Sequence, residues 1–195
     1  KHEADVAIVY HAELEWCNGT SSMLTQVPAK ILYEQQMDFD ILPFDALASA
    51  NVEDGLLRVN EETYKALLVP GCAALPEALL AILQRLENAG LPVWFVEERP
   101  KEAGFGLVVS QACLAEEAKK FATVHIAPAN PLLRVYRAQR EADWIYMLVN
   151  ESTVHCYEGE ITVPEARECL KLDLLLDRKS KLRVHDGKVS LSLAP

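Results

Sequence analysis

Short apolar segments alternate with segments of helical spacing along the first two thirds of the chain, and this alternation limits the possible folds more than any other feature. Runs of four to six residues rich in aliphatic and aromatic side chains are typical of strands buried on both faces, as in parallel sheets. We predict five such strands, over Asp5–Tyr10, Phe39–Leu42, Lys65–Val69, Pro92–Val96 and Thr123–Ala127. A further short strand is predicted over Gly55–Val59.

Three helices are predicted between these strands, over Met23–Gln36, Pro76–Asn88 and Gln111–Phe121. The second is the clearest, because proline stands in its first turn, leucines recur at helical spacing and Gly90 follows its end. Strands that alternate with helices form βαβ units and a parallel sheet with helices on both faces. Five such strands fit a flavodoxin-like α/β sheet.

The pattern changes after Pro128-Ala129-Asn130-Pro131. Short runs follow, several of them alternating, with turn dipeptides such as Glu158-Gly159 and Asp186-Gly187 between them, which is typical of antiparallel sheets. These runs are Leu133–Ala138, Trp144–Val149, Val154–Glu158, Glu160–Val163, Cys169–Leu172, Lys181–Val184 and Val189–Leu193. We therefore predict two domains: a flavodoxin-like domain over residues 1–128, and a small antiparallel β-sandwich-like domain over residues 129–195.

Charge and hydropathy exclude several classes of partner. The formal net charge is −10, and an acidic surface repels phosphate backbones, so nucleic acid is not expected as a partner. No apolar run approaches the roughly 20 residues that span a bilayer, so no membrane association is expected. The five cysteines are odd in number and form no C-x-x-C pair, which favours free thiols in a reducing compartment and a cytoplasmic location.

The sequence also gives no reason to expect a cofactor. It contains neither a G-x-G-x-x-G fingerprint nor a P-loop, so a nucleotide or flavin is disfavoured despite the fold. The five histidines have no metal-ligand spacing, and we predict no metal site: His2, His11, His125, His155 and His185.

The loop after the first strand is the first candidate site, because ligands of open parallel sheets bind beyond the carboxyl ends of the strands. Tyr10 and Trp16 offer faces that stack on sugar rings, and Glu13 and Glu15 can accept hydrogen bonds from hydroxyl groups. The loop is predicted to face a carbohydrate; the alternative is a solvated loop with Trp16 packed on the sheet edge. Two carboxylates so close in one loop cannot flank a scissile bond, so they are not predicted to be glycosidase acids.

Cys72 is the second candidate, because a cysteine at a strand-to-helix turn can be activated as a nucleophile. Class I glutamine amidotransferases share this general architecture and place their cysteine on a sharp turn after the next strand. Here Glu97-Glu98-Arg99-Pro100 follows that strand and contains no nucleophile. We therefore predict that Cys72 is structural, with a small amidotransferase-like hydrolase as the alternative.

The order of the segments resembles a known family. Asp5–Tyr10 with its acidic, Trp-bearing loop, then Phe39–Pro43, Tyr64–Pro70 and Gly90–Trp94, are similar to the amidotransferase-like trimerisation domain of β-galactosidases and of large bacterial glycoside hydrolases. The resemblance covers roughly residues 5–128. Leu133–Tyr136, Asp143–Ser152 and Asp186–Pro195 resemble parts of the C-terminal β-domain of the same enzymes.

This resemblance implies that the chain is part of a larger glycoside hydrolase. The family's catalytic acids lie in an upstream (β/α)₈ barrel that these residues do not contain, so no catalytic residue is carried over. The implied role is a non-catalytic accessory one: homo-oligomerisation and roofing of an active site that binds a carbohydrate substrate. A free-standing carbohydrate-binding module remains an alternative.

Overall fold

The computed structural model describes residues 1–17, 22–164 and 166–195. Its central element is a five-stranded parallel sheet, with secondary-structure elements numbered along the chain. The strand order is β2-β1-β6-β7-β8, which is the flavodoxin-like order predicted from the sequence. The strands are β1 (Val6–Tyr10), β2 (Phe39–Pro43), β6 (Ala66–Pro70), β7 (Val93–Val96) and β8 (Leu107–Val109).

Among the described residues, five helices accompany the sheet: α1 (Ala12–Cys17), α2 (Gln26–Glu34), α3 (Phe44–Ala48), α4 (Glu77–Asn88) and α5 (Gln111–Lys119). Alternate residues of each buried strand point to opposite faces, so the sheet has two cores. Ala7 and Val9 pack with the leucines of α4, whereas Val6 and Ile8 pack against α2 and α5. The predicted α/β architecture with helices on both faces is confirmed.

Helix α4 shows why leucines at helical spacing predicted a helix packed on the sheet. Leu79, Leu83 and Leu86 recur at intervals of four and three residues, and all three are fully buried against the sheet. The chain leaves the helix through Gly90, whose φ of +99° lies in the left-handed region that only glycine adopts easily.

The fifth parallel strand differs from the prediction. It is Leu107–Val109, and the predicted segment Thr123–Ala127 contributes only β9 (Ile126–Ala127), which pairs with a strand of the antiparallel region. Strand β8 has three residues and lies at the edge of the sheet, where Leu107 and Val108 are exposed. Such a strand lacks the long apolar run by which buried strands are recognised.

A small antiparallel sheet precedes β6, with strands β3 (Asn51–Glu53), β4 (Leu56–Val59) and β5 (Glu62–Tyr64) in the order of the chain. The predicted strand over Gly55–Val59 corresponds to β4. The side chains of Leu57, Val59 and Tyr64 are buried in the same core as α4, so this sheet extends one face of the parallel sheet.

The remainder of the chain forms small antiparallel sheets around a third core. Strands β10 (Leu133–Arg140) and β11 (Asp143–Asn150) form one hairpin, and β13 (Cys169–Asp173) and β14 (Arg178–Leu182) form another. Strand β12 (Tyr157–Thr162) lies between β9 and β15 (Lys188–Leu193), and it replaces the two strands predicted over Val154–Glu158 and Glu160–Val163. Because β9 joins this sheet, strand pairing crosses the predicted division between residues 128 and 129.

Candidate functional site

The carboxyl ends of the parallel strands form the edge at which this fold binds ligands. Strands β1, β2, β6, β7 and β8 all end there, and α1, α3 and α5 begin within two residues of a strand end. One edge of the molecule therefore contains three features: the predicted carbohydrate-facing residues, the cysteine Cys72, and the turn after β7.

The segment after β1 is a helix rather than the predicted loop. The Nδ1 atom of His11 accepts a hydrogen bond from the backbone N–H of Leu14 (3.1 Å), and the backbone N–H of Glu15 donates to the His11 carbonyl (3.2 Å). These bonds satisfy donors at the start of α1, as an N-cap residue does. Glu13 and Glu15 stand in its first turn, where negative charge is favourable.

The four predicted site residues have different surroundings. Trp16 is 78% exposed and does not pack on the sheet edge, and Glu13, three residues earlier in the helix, is exposed as well. Tyr10 is half-buried at the end of β1. The carboxylate of Glu15 accepts hydrogen bonds from the backbone N–H (2.8 Å) and the hydroxyl (2.5 Å) of the buried Thr25. Glu15 thus anchors α1, whereas Trp16 and Glu13 are accessible to a ligand.

A cavity of about 10 Å³ lies beneath α1. It holds roughly one water molecule, far less than the several hundred Å³ of a typical small-molecule pocket. Its lining comes from α1, the ends of β1 and β6, and the segment before α2: Val9, His11, Leu14, Glu15, Ser22, Met23, Thr25, Val69, Pro70, Cys72 and Leu75. A saccharide at this edge would therefore lie on the surface rather than in a pocket of the described residues.

Cys72 lines this cavity and is only 2% exposed. Burial, together with the negative charge of Glu98, raises the pKa of its thiol to about 11. The thiolate, which is the nucleophilic form, is therefore a very small fraction at neutral pH. His11 lines the same cavity, but the Nδ1 atom of its ring is already engaged by α1.

The turn after β7 has a strained backbone, and its residues Glu97-Glu98-Arg99-Pro100 include no cysteine or serine. Glu97 has a φ of +72°, which is unfavourable for any residue with a Cβ atom. Its Oε2 atom accepts a hydrogen bond from the backbone N–H of Gln111 (2.8 Å), so the side chain caps α5. This turn approaches β6 so closely that a Cβ atom on Gly71 would lie 2.3 Å from the carbonyl oxygen of Val96.

We expect iodoacetamide to label Cys72 very slowly between pH 7 and pH 9, because the folded thiol becomes anionic only near pH 11 and is buried. The exposed Cys113 and Cys156 provide internal controls within the same digest, and their peptides should be alkylated much faster. Peptide mass spectrometry after timed labelling measures all three rates. Rapid alkylation of Cys72 below pH 7 would instead identify an activated thiolate.

A second group of titratable side chains lies at the opposite edge of the sheet, where β2 begins. The Nε2 atom of His2 donates to Asp38 (2.7 Å), and its Nδ1 atom lies 3.1 Å from both carboxylate oxygens of Asp40, which also accepts from the Tyr64 hydroxyl (2.9 Å). Burial lowers the pKa of His2, but the hydrogen bonds and charges of Asp38 and Asp40 outweigh it and raise that pKa. Burial raises the pKa of Asp38 by more than its bond with His2 lowers it.

This second group connects structural elements. The ring of His2 stacks on Tyr136 at 4.5 Å, and the backbone N–H of Arg137 donates to Asp38 (3.2 Å), so the group joins β2 to β10. All its carboxylates have partners within the protein. We therefore assign it a structural role.

The antiparallel region contains a larger and more open cleft of about 370 Å³. It is lined by polar side chains of β12, β15 and the segment before β15: Glu160, Arg183, His185, Asp186, Lys188 and Ser190. Within residues 1–17, 22–164 and 166–195, no helix is long and apolar enough to cross a bilayer, and no cluster has the composition of a metal site.

Comparison with known proteins gives a fold relationship. No protein-family model matches the chain, and no curated protein matches it. A solved structure that shares the fold is the apo exo-carrageenase of family GH42 from Bacteroides ovatus, with a TM-score of 0.54 and 15% sequence identity. The alignment covers 98% of this chain and 29% of the carrageenase chain, so the chain spans less than a third of that protein's length.

Proposed function

We propose that the chain is a non-catalytic accessory region of a glycoside hydrolase whose catalytic (β/α)₈ barrel lies outside these 195 residues. The observation that carries this proposal is the extent of the fold match: almost the whole chain aligns with a minor part of one larger glycoside hydrolase chain. Both the parallel sheet and the antiparallel sheets are included in that match, which is more specific than a shared flavodoxin-like sheet alone.

The chemistry of the carboxyl edge supports a non-catalytic role. The cysteine at this edge is a buried thiol with a pKa of about 11, and the strained turn after β7 carries Glu97 instead of a nucleophile. Glycoside hydrolysis needs two carboxyl groups on opposite sides of a scissile bond, and Glu15 is already occupied by Thr25. The buried thiol and the turn without a nucleophile disfavour the alternative of a small amidotransferase-like hydrolase, and the occupied Glu15 disfavours glycoside hydrolysis at this edge.

Helix α1 is the part of this edge that we propose contacts saccharide. Trp16 presents an exposed aromatic face, and Glu13 on the same side of the helix offers a carboxylate for hydroxyl groups. Because the cavity below α1 is too small for a sugar ring, the opposing wall of the site would come from the catalytic barrel or from another subunit. The chain would then roof an active site, and on its own it would bind saccharide weakly.

We expect Trp16→Ala to weaken binding of galactose-containing oligosaccharides, including carrageenan fragments, by about 1–2 kcal/mol, which corresponds to roughly 5- to 30-fold in affinity. The reason is the loss of one stacking face. Titration of the isotope-labelled chain, followed through the backbone amide signals of α1 in both proteins and also through the Trp16 indole N–H in the original, should give a Kd on the order of millimolar for the original protein. Trp144→Ala provides a matched control on β11, away from this edge.

The proposal predicts that saccharide moves the Trp16 signal in a saturable way and that Trp144→Ala leaves this response unchanged. Saccharide responses confined to other residues, or unaltered by Trp16→Ala, would remove α1 from the proposed contact surface. A glutaminase activity lost in Cys72→Ala would support the amidotransferase-like alternative instead.

A further inference from the structure

The N-terminal segment (residues 1–4) pairs with β10 in the manner of a short antiparallel strand. The backbone N–H of Glu3 donates to the carbonyl of Arg137 (3.0 Å), and the backbone N–H of Gln139 donates to the carbonyl of Lys1 (2.8 Å). Strand β11 pairs with the other edge of β10. The segment therefore covers an edge of β10 whose backbone groups would otherwise be unpaired.

The ring of His2, in the middle of this segment, lies between two carboxylates. Its Nε2 atom is 2.7 Å from Asp38, and its Nδ1 atom is 3.1 Å from each carboxylate oxygen of Asp40. An ionised carboxylate only accepts hydrogen bonds, so both ring nitrogens need a proton, and only the imidazolium form carries two. A neutral ring would present the lone pair of one nitrogen to a carboxylate at hydrogen-bond distance. The geometry therefore fits the protonated form of His2.

Other donors fix the two carboxylates in these positions. The backbone N–H groups of Phe39 (3.0 Å) and Arg137 (3.2 Å) donate to Asp38, and the hydroxyl of Tyr64 donates to Asp40 (2.9 Å). These donors belong to β2, β10 and β5, and each of them favours the charged form of the carboxylate. When the ring loses a proton, the carboxylates cannot turn away from it without leaving these donors.

The surrounding charges favour the imidazolium as well. The other titratable groups near the ring come from its own segment, β5 and β10: Lys1 with its α-amino group, Glu3, Glu62, Tyr136 and Arg137. Lys1 is paired with Glu3 (3.1 Å), and the guanidinium of Arg137 lies over the ring of Trp144 (4.0 Å). With the two aspartates, four carboxylates thus surround the ring, against two basic side chains.

The pKa of His2 gives the direction of the effect. Burial lowers this pKa, but the hydrogen bonds and charges of Asp38 and Asp40 outweigh burial and raise it above the ordinary value of 6.5. A group whose pKa is raised by folding stabilises the fold below its unfolded value, and this stabilisation is lost as the pH rises through the folded value. Burial also raises the pKa of Asp38, which gives a change of the same sign.

We propose that His2 is a pH-sensitive switch: when its ring loses the second proton, the N-terminal segment separates from β2 and β10. The separation is local, because Gln36 holds the start of β10 through separate hydrogen bonds with Asn130 and Leu133. It leaves the outer edge of β10 open above neutral pH and covered in mildly acidic solution. The switch lies at the opposite edge of the sheet from α1, so it does not depend on the proposed saccharide contact.

NMR spectroscopy of the isotope-labelled chain between about pH 6 and pH 9 tests the switch. The ring signals of His2 should titrate with a midpoint above 6.5. Hydrogen-exchange protection factors, corrected for the intrinsic exchange rate at each pH, should fall by about fivefold or more at the amides of Glu3 and Gln139. Protection at Leu133 and Leu67 should stay constant, because their amides donate to Asn130 and Pro92, outside the segment.

His2→Gln and His155→Gln form a matched pair of variants. Glutamine has no second proton to lose, so His2→Gln should lower the protection of Glu3 and Gln139 at pH 6 and remove most of its dependence on pH. The α-amino group of Lys1 is present in both variants, so any part of the pH dependence that it causes persists in both. His155→Gln, the same substitution at an exposed histidine, should behave as the original chain.

Asp40→Asn tests the cause and leaves the ring in place. Its amide can donate to a neutral ring nitrogen, so the titration midpoint of His2 should fall and the pH dependence should decrease. Three results would overturn the proposal: a His2 midpoint at or below 6.5 in the original chain, constant protection of Glu3 and Gln139 over the whole pH range, and a pH dependence that His2→Gln leaves intact. A loss of protection that extends equally to the parallel sheet would also overturn it, because the fold would then open as a whole.

Discussion

Gly71→Ala should be the most destabilising single substitution that we predict, lowering the free energy of unfolding by about 3 kcal/mol. Its Cβ atom would lie 2.3 Å from the carbonyl oxygen of Val96 and 3.1 Å from the backbone nitrogen of Glu98. Both atoms belong to the backbone of β7 and its turn, so no side-chain rotation relieves the clash. The parallel strands β6 and β7 would have to separate where Pro70 pairs with Val96.

Gly104→Ala is the matched control, because a Cβ atom there meets nothing within 4 Å. It should change stability by less than about 0.5 kcal/mol. Urea denaturation followed by circular dichroism measures both variants, and Gly71→Ala should also lower the melting temperature by roughly 6–12 °C. Equal stability of the two variants would mean that the turn after β7 does not approach β6 as described.

Gln36→Leu should lower the free energy of unfolding by about 2–3 kcal/mol. The side chain of Gln36 is buried, and its Nε2 atom donates to the carbonyl groups of Glu34 (2.9 Å), Asn130 (2.5 Å) and Leu133 (3.3 Å). Its Oε1 atom accepts from the backbone N–H of Asn130 (3.0 Å). A leucine would fill much of the space but would remove the side-chain partner of the Asn130 N–H and of the Glu34 carbonyl, and an unsatisfied buried polar group costs more than a hydrogen bond contributes. The carbonyls of Asn130 and Leu133 keep donors from the Leu133 N–H (3.0 Å) and the Arg134 side chain (3.1 Å).

The same substitution one residue earlier provides the control. Gln35 is half-buried, and its side chain accepts one hydrogen bond, from Lys119 (2.8 Å). Gln35→Leu should therefore cost less than about 1 kcal/mol. Because Gln36 connects the end of α2 to the start of β10, hydrogen exchange in Gln36→Leu should increase at Asn130 and Leu133 before it increases in the parallel sheet. Hydrogen exchange at Asn130 and Leu133 that is as slow in Gln36→Leu as in the original chain would contradict this role.

The parallel sheet could be predicted because four of its strands are long enough to leave a clear apolar run. All five residues of β6 are buried, and so are all four residues of β7. Strand β8 could not be predicted in this way, because it is a three-residue edge strand with only Val109 buried. Tertiary pairing with β7, rather than local sequence, determines that it is a strand.

The candidate site was only partly predictable. The residues Tyr10, Glu13, Glu15 and Trp16 were selected by type and by their position after β1, but the sequence could not show that Glu15 is held by Thr25, ten residues away. The strained φ of Glu97 is also invisible in the sequence, since glycine or asparagine would be expected at such a position.

The exposed leucines of the β13–β14 hairpin (Cys169–Leu182) are visible in the sequence, but strand periodicity does not identify them as exposed. Leu174-Leu175-Leu176 stands between Asp173 and Asp177, and an apolar triplet enclosed by acidic residues is unusual for a turn. Strand patterns assign a leucine run to a core, whereas this one lies at the tip of a projecting hairpin. Only the structure distinguishes the two cases.

The most direct test of the account is turnover of a panel of nitrophenyl glycosides by the pure chain. A non-catalytic accessory region should release nitrophenol no faster than buffer, at any pH between about 4 and 9. Glu15 is held by Thr25, and the two carboxylates that line the open cleft, Glu160 and Asp186, each lie beside a basic side chain, Lys188 (3.8 Å) and His185 (3.2 Å). Turnover that copurifies with the chain and disappears in Glu13→Gln or in another single carboxylate-to-amide variant would contradict the account and make this chain an enzyme in its own right.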